Sequence, residues 1–211
     1  MPYLNCEYSA LASLSGIHNK TKLVTTFKIY NCTAMKTLTC TGNSKLSSIS
    51  LTGNTGMVNL YCSSNKLTSL NVQGCSSLTM IQCCNNQITE SGMTTLVNSL
   101  PTRSSSSRGT LDVLYNSDEG NVFTSAHASI AKSKYWSPCR WNGSAWVEIE
   151  GAVAGDLNGD GVLNATDLTL LISLVMYGNP SASINPAADY NGDGVINATD
   201  VTMLITYVMG H

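Results

Sequence analysis

One short phrase occurs three times between residues 35 and 88. "MKTLTCTGNSKL" begins at Met35, "MVNLYCSSNKL" at Met57 and "LTMIQCCNNQI" at Leu78, at steps of 22 and 21 residues. Met35, Leu38, Cys40, Asn43 and Leu46 align with Met57, Leu60, Cys62, Asn65 and Leu67, and again with Leu78, Ile81, Cys83, Asn86 and Ile88. A weaker copy starts near Leu11 and Leu14, with Asn19 in the Asn place, and "FKIYNC" (27–32) parallels "LNVQGC" (70–75). A unit this short cannot bury a core alone, so copies must stack on their neighbours. The alternation around Leu38–Cys40 predicts a short strand with one face turned inward. Cys is small and apolar enough to sit between stacked strands. The Asn side chain can satisfy the backbone of buried turns.

The phrase resembles the leucine-rich repeat, with Cys in one of the Leu places, over roughly residues 4–100. The resemblance implies an α/β solenoid of parallel strands with a concave binding face. The chain has 8 Cys. The repeat makes Cys40, Cys62 and Cys83 a ladder of core thiols, with Cys32 and Cys75 in a second such column. Adjacent parallel strands hold these side chains in poor geometry for disulfides. No metal-type Cys spacing occurs.

After Thr89 the pattern changes. "TESGMTTLVNSL" (89–100) has helical spacing and ends at Pro101. "TLDVLYN" (110–116) reads as a strand. "TSAHASIAKSKYW" (124–136) reads as a helix capped by Thr124 or Ser125, with Ala126, Ile130 and Ala131 inward. "RWNGSAWVEI" (140–149) reads as a hairpin. Residues 89–150 are expected to cap the stack with helices, giving a first domain over 1–150. Trp136, Trp141 and Trp146 are read as packing that cap, with an aromatic carbohydrate site as the alternative.

The last part, 151–211, carries "DLNGDGVLNATD" (156–167) and "DYNGDGVINATD" (189–200). Asp156, Asn158, Asp160, Val162, Asn164 and Asp167 occupy positions 1, 3, 5, 7, 9 and 12 of a calcium loop. Asp189, Asn191, Asp193, Val195, Asn197 and Asp200 repeat the set. A hard cation takes six to eight oxygens, and such a loop presents alternate side chains plus one carbonyl, with Gly161 or Gly194 allowing the sharp turn. Two calcium ions are expected. Position 12 is Asp rather than the usual Glu, and no helix enters either loop. Each loop is followed by an apolar helix, "LTLLISLVMY" (168–177) or "VTMLITYVM" (201–209), which Asn164 or Asn197 can cap.

Loop-then-helix, twice, resembles the dockerin (type I-like), over about residues 153–211. The resemblance implies a small all-α calcium-binding module that docks onto a cohesin of another protein. It assigns partner contacts to Ala165, Thr166, Ile172, Ser173 and Tyr177 in one copy, and Ala198, Thr199, Ile205, Thr206 and Gly210 in the other. Many members carry Lys-Arg where this chain has Ile-Ser and Ile-Thr, which points to a more apolar contact. Leu168, Leu171 and Val175 form a core stripe, which leaves Leu170, Met176 and Tyr177 partly outside it. The near-identity of the two copies suggests docking in either of two orientations, with Tyr177 against Gly210 breaking the symmetry.

Composition excludes several classes. A net charge of −2 and no Lys/Arg run give no nucleic-acid footprint. No apolar stretch is long enough to span a membrane. His18, His127 and His211 are scattered, there is no Gly-x-Ser-x-Gly elbow, and the Glu residues are not paired, so no enzyme is expected. The start "MPYLNCEYSA" is not a signal peptide. The expectation is a non-catalytic adaptor, secreted or at the cell surface. Its repeats bind a protein or glycan while the calcium-loaded module docks onto a cohesin. The alternative is a calcium-stabilised structural surface protein whose C-terminal helices pack on its own repeats.

Overall fold

The computed structural model describes residues 3–7, 13–14, 25–115, 119–151, 154–157, 163–178 and 187–210. The chain forms two compact units, Met1–Ile149 and Glu150–His211. Leu11 and Asn19, assigned to the weak first repeat, lie outside the described residues.

The first unit winds as a coil that lays its strands alternately on two sheets as far as β6 (Asn59–Tyr61), and thereafter on one. β1 (Tyr3–Glu7), β3 (Thr26–Tyr30) and β5 (Ser48–Ser50) make one parallel sheet in the order β1-β3-β5. β2 (Ser13–Leu14), β4 (Thr37–Thr39), β6 (Asn59–Tyr61) and β7 (Met80–Gln82) begin the other. Leu38 pairs with Leu60 and Leu60 with Ile81, so the repeat and the strand register coincide. Each of these three strands buries its central residue and half-exposes its neighbours, as one-sided burial of a pleated strand requires.

The winding has a finer period than the one read from sequence. Left-handed backbone recurs at Asn31, Gly42, Gly53, Ser64, Gly74 and Asn85, with φ from 53° to 86°. These corners fall about every eleven residues, so each 22-residue repeat is two half-coils, one per sheet. The residue after each corner turns inward: Cys32, Asn43, Asn54, Asn65, Cys75 and Asn86 are all buried. Gly42 and Gly53 share the same φ of 77°, a conformation that costs glycine little and other residues more.

The buried asparagines form a ladder that ties each turn to the next. Asn65 Oδ1 accepts from Asn43 N at 2.8 Å, and its Nδ2 donates to Cys62 O at 2.7 Å and Cys40 O at 3.1 Å. Asn86 Oδ1 accepts from Leu67 N, and its Nδ2 donates to Cys83 O and Cys62 O. Asn54 does the same on the other side, toward Cys32 N, Ile29 O and Leu51 O. Asn121 ends the ladder, taking Ile88 N and giving to Cys83 O and Val113 O. Glu119 closes the same end of the coil: its carboxylate accepts from the backbone N–H of Asn85, Asn86, Tyr115 and Asn121.

Residues 89–150 hold the helices, strand and hairpin read for them, but not as a separate cover over the stack. They add further turns to the same sheet. β8 (Gly109–Leu114) pairs parallel with β7, and β9 (Trp136–Trp141) pairs parallel with β8. The helices α1 (Glu90–Ser99) and α2 (Ser125–Ser133) replace the extended return leg. A helix rises less per residue than a strand, so the step lengthens, to 30 residues between neighbours Gln82 and Asp112. Among the described strands, β10 (Trp146–Glu148) alone runs antiparallel, on the outer edge of β9. Thr89 and Thr124 are the N-caps. α2 turns Ala131 and Ile130 to the core as expected and buries His127 and Ala128 as well, while Ala126 is only half-buried.

The core is a column of Leu, Ile, Met and Cys side chains closed by Trp136. Cys32, Cys40, Cys62, Cys75, Cys83, Cys84 and Cys139 are buried free thiols. Burial pushes the Cys40 thiol up to about 12 and the Cys75 and Cys139 thiols up to about 11.

The second unit holds α3 (Ala165–Tyr177) and α4 (Ala198–Met209), which pack on each other. Leu171, Ala188, Ile196 and Leu204 are its buried centre, with Leu168, Leu174, Val175 and Val208 packed around them. Among the described residues no helix is long and apolar enough to cross a membrane.

Candidate functional site

The loop preceding α4 is described in full. Asp189 lies at its start, and its carboxylate accepts from the backbone N–H of Gly192, Asp193 and Gly194, at 2.8 to 3.1 Å. Asn191 Oδ1 accepts from Asp193 N, and Asp193 Oδ1 from Val195 N. Gly194 has φ +87°, the left-handed value a sharp turn at the sixth position requires. Asp200 is fully buried in the first turn of α4. Its two oxygens accept from Asn191 N at 3.2 Å and Asn197 N at 2.9 Å, so it spans the loop from the third position to the ninth.

Asn197 caps α4 and Asn164 caps α3, each within a reciprocal capping box completed by Asp200 or Asp167. The helices therefore start three residues earlier than their apolar runs, at Ala165 and Ala198. In the first loop Asp156 and Asp167 are both buried, and Asp167 accepts from Leu157 N and Asn164 N, each at 3.0 Å. Asn158, Asp160 and Val162 lie outside the described residues.

Among the described residues, no three Asp, Glu, His or Cys side chains converge closely enough to hold a metal ion. The donor chemistry nonetheless fits a hard divalent cation. The second loop offers Asp189, Asn191, Asp193 and Asp200 side-chain oxygens and the Val195 carbonyl, and no nitrogen or sulfur ligand. Several of these oxygens are engaged by loop N–H groups, which holds the loop in its wound form.

The residues assigned to partner contact sit on the starts and outer faces of the two helices. Ala165, Thr166, Ser173 and Tyr177 are exposed, as are Ala198, Thr199, Thr206 and Gly210, while Ile172 and Ile205 are half-buried. The apolar side chains outside the core are numerous: Leu170, Met176 and Tyr177 on α3, and Met203, Tyr207 and Met209 on α4. Tyr177 is 83% exposed and Met209 81%.

The first unit holds the three Trp residues read from sequence, and a buried carboxyl that no motif marked. Trp136 is buried, with its indole N–H donating to Pro101 O at 2.8 Å. Trp141 and Trp146 instead join Tyr115 in a half-exposed cluster, Tyr115 parallel to Trp141 within 7° and Trp146 edge-on to it. Asp112, on β8, is 3% exposed, and burial raises its carboxyl from 3.8 to about 6. The sequence reading of 110–116 as a strand assigned Asp112 no role.

No curated protein and no solved structure matches the chain. Residues 154–209 match the dockerin type I domain, so the stretch that holds both loops and both helices is similar to that docking module.

Proposed function

We propose that the chain is a two-part, non-catalytic adaptor acting outside the cell or at its surface. The second unit binds two calcium ions and docks onto a cohesin of another protein. The first unit, read as a leucine-rich-repeat-like coil, presents its sheet to a protein or glycan ligand. One observation supports this most: within the stretch similar to dockerin type I, the two apolar helices expose large side chains beside the assigned contact residues. A surface of that kind marks an interaction site.

In this reading Asp156, Asn158, Asp160, Val162, Asn164 and Asp167 hold one ion, and Asp189, Asn191, Asp193, Val195, Asn197 and Asp200 the other. Bound calcium supplies positive charge that offsets repulsion among the clustered carboxylates. The chain's own residues do the rest. Asn164 and Asn197 start the helices, Asp167 and Asp200 lock loop to helix, and Leu171 and Leu204 pin the helices together. That fixes Ile172, Ser173, Ile205 and Thr206 as a shaped contact face.

Size-exclusion chromatography with a panel of cohesins, with and without chelator, tests the reading. A complex that forms in calcium and dissolves on chelation is expected. If no cohesin forms a complex in calcium, the adaptor reading fails and a calcium-stabilised structural role takes its place.

A further inference from the structure

The face of the large sheet turned away from the core carries one in-register row: Thr39, Tyr61, Gln82, Asp112 and Cys139. Its groups are a hydroxyl, a phenol, an amide, a carboxyl and a thiol. Asp112 is the anomaly. Its Oδ2 accepts from Gln82 Nε2 at 3.4 Å, while its Oδ1 is buried and has no partner. A buried acceptor left unmatched is rare in folded proteins and calls for an explanation.

The aromatic cluster lies at the same place. Trp141 is two residues beyond Cys139 on β9, and so faces the same way, roughly 7 Å further along the strand. Trp146 pairs with Trp141 across the β9–β10 hairpin, and Tyr115 follows β8. Asp112 lies beside Cys139 on the neighbouring strand, so the carboxyl and the Trp141 ring belong to adjacent strands, two residues apart along them.

We propose that this face of β7–β10 binds a neutral glycan. Tyr115, Trp141 and Trp146 stack on the C–H face of a sugar ring, and the Asp112 carboxyl, held now only by the long Gln82 contact on Oδ2, accepts from one of its hydroxyls. The proposal rests on the reading of the first unit as the ligand-binding half. Local charge selects a neutral ligand over a charged one. Arg108 and Lys132 both pair with Glu148, which is in register with Cys139, so both signs already flank the site. A cationic peptide would meet those two cations, and an anionic one would meet Asp112 and Glu148. Sugar hydroxyls meet neither penalty.

The test uses the full chain in calcium, by calorimetry and tryptophan fluorescence. The probes are hexasaccharides of β-linked glucose, xylose and mannose, with a hexalysine peptide as the cationic alternative. At least one hexasaccharide is expected to bind and to perturb tryptophan emission. Asp112→Asn and Trp141→Ala are each expected to weaken that binding by about tenfold, which is about 1.4 kcal/mol. Asp112→Asn keeps the size and the Gln82 partner, so its urea midpoint separates lost binding from lost folding. Three results overturn the proposal: no hexasaccharide binding at millimolar concentration, binding untouched by both variants, or binding of hexalysine alone. Cohesin docking measured on the same samples is independent. Its loss would sink the tether and leave the glycan site standing, and the reverse also holds.

Discussion

Asn65→Ala offers the sharpest check on how the coil holds together. Asn65 is 7% exposed, and its amide contacts four backbone groups: Asn43 N at 2.8 Å, Cys62 O at 2.7 Å, Cys40 O at 3.1 Å and Ser63 O at 3.2 Å. The amide has two hydrogens, so these amount to three hydrogen bonds, each with a net value of about 1 kcal/mol. Truncation also leaves the Asn43 N–H buried without its acceptor, which adds about 1 kcal/mol or more. The sum is about 4 kcal/mol, a large part of the 5–15 kcal/mol typical of a domain. With a urea dependence of about 2 kcal/mol per molar, the midpoint should fall by about 2 M. Tryptophan fluorescence reads this cleanly, because Trp136, Trp141 and Trp146 all lie in the first unit. Asn71→Ala, at an exposed residue whose side chain accepts from Gln73 N, serves as control and should move the midpoint by less than about 0.5 M. Asn65→Asp should cost at least as much as Ala at neutral pH, since it sets a buried charge against Cys40 O and Cys62 O. An Asn65→Ala midpoint within about 0.5 M of the parent would refute the ladder as a source of stability.

Four further outcomes are expected. Asp112 holds its proton more tightly folded than unfolded, because burial raises its carboxyl from 3.8 to about 6; this group therefore lowers stability as pH rises from about 4 to 6, and Asp112→Asn should be more stable than the parent by ~2–3 kcal/mol at pH 7, with the gap closing near pH 4 in paired urea titrations. The Cys40, Cys75 and Cys139 thiols, pushed to about 12, 11 and 11, should resist a thiol reagent at pH 8 until urea unfolds the first unit; rapid native labelling would contradict their burial. Gly53→Ala should cost about 2 kcal/mol, since φ is +77° and a new Cβ meets the Asn31 side chain, while Gly143→Ala, in open space, should cost about half as much in the same urea assay. Chelation, or Asp189→Ala together with Asp156→Ala, should reduce the far-UV helical signal of the second unit and leave the tryptophan melt of the first unchanged.

What was legible in the sequence follows from where the signal is local. The calcium-type loops and their caps involve contacts within twelve residues, so Asp189, Gly194, Asn197 and Asp200 could be given positions from spacing alone. The 21–22-residue repeat was legible because Leu38, Leu60 and Ile81 pair in register. The half-coil of eleven was harder. "TCTGNSKL" and "SLTGNTGM" are related at that interval, but Cys32 and Cys75 occupy the inward corner where Asn43, Asn54, Asn65 and Asn86 stand. Two residue types serve one place, since Cys fills it by packing and Asn by hydrogen bonding, and that hid the column. The continuation through β8 and β9 was hidden for another reason. A helical return leg changes the step, so α1 and α2 looked like the end of the stack rather than part of it. Glu119 and Asp112 lacked any local mark, because their roles depend on backbone brought together from distant turns.

A stack of parallel turns has no intrinsic stopping point, because its last strand offers the same edge as every strand before it. β10 removes that equivalence. It is three residues long and runs against the six-residue β9, so the edge left at this end is short, and short edge strands are one way in which sheets blunt further pairing. Glu148 adds charge there, paired with Arg108 and Lys132, and edge charge discourages pairing between chains. A short edge strand that carries charge is the kind of ending that weakens edge-to-edge pairing of sheets.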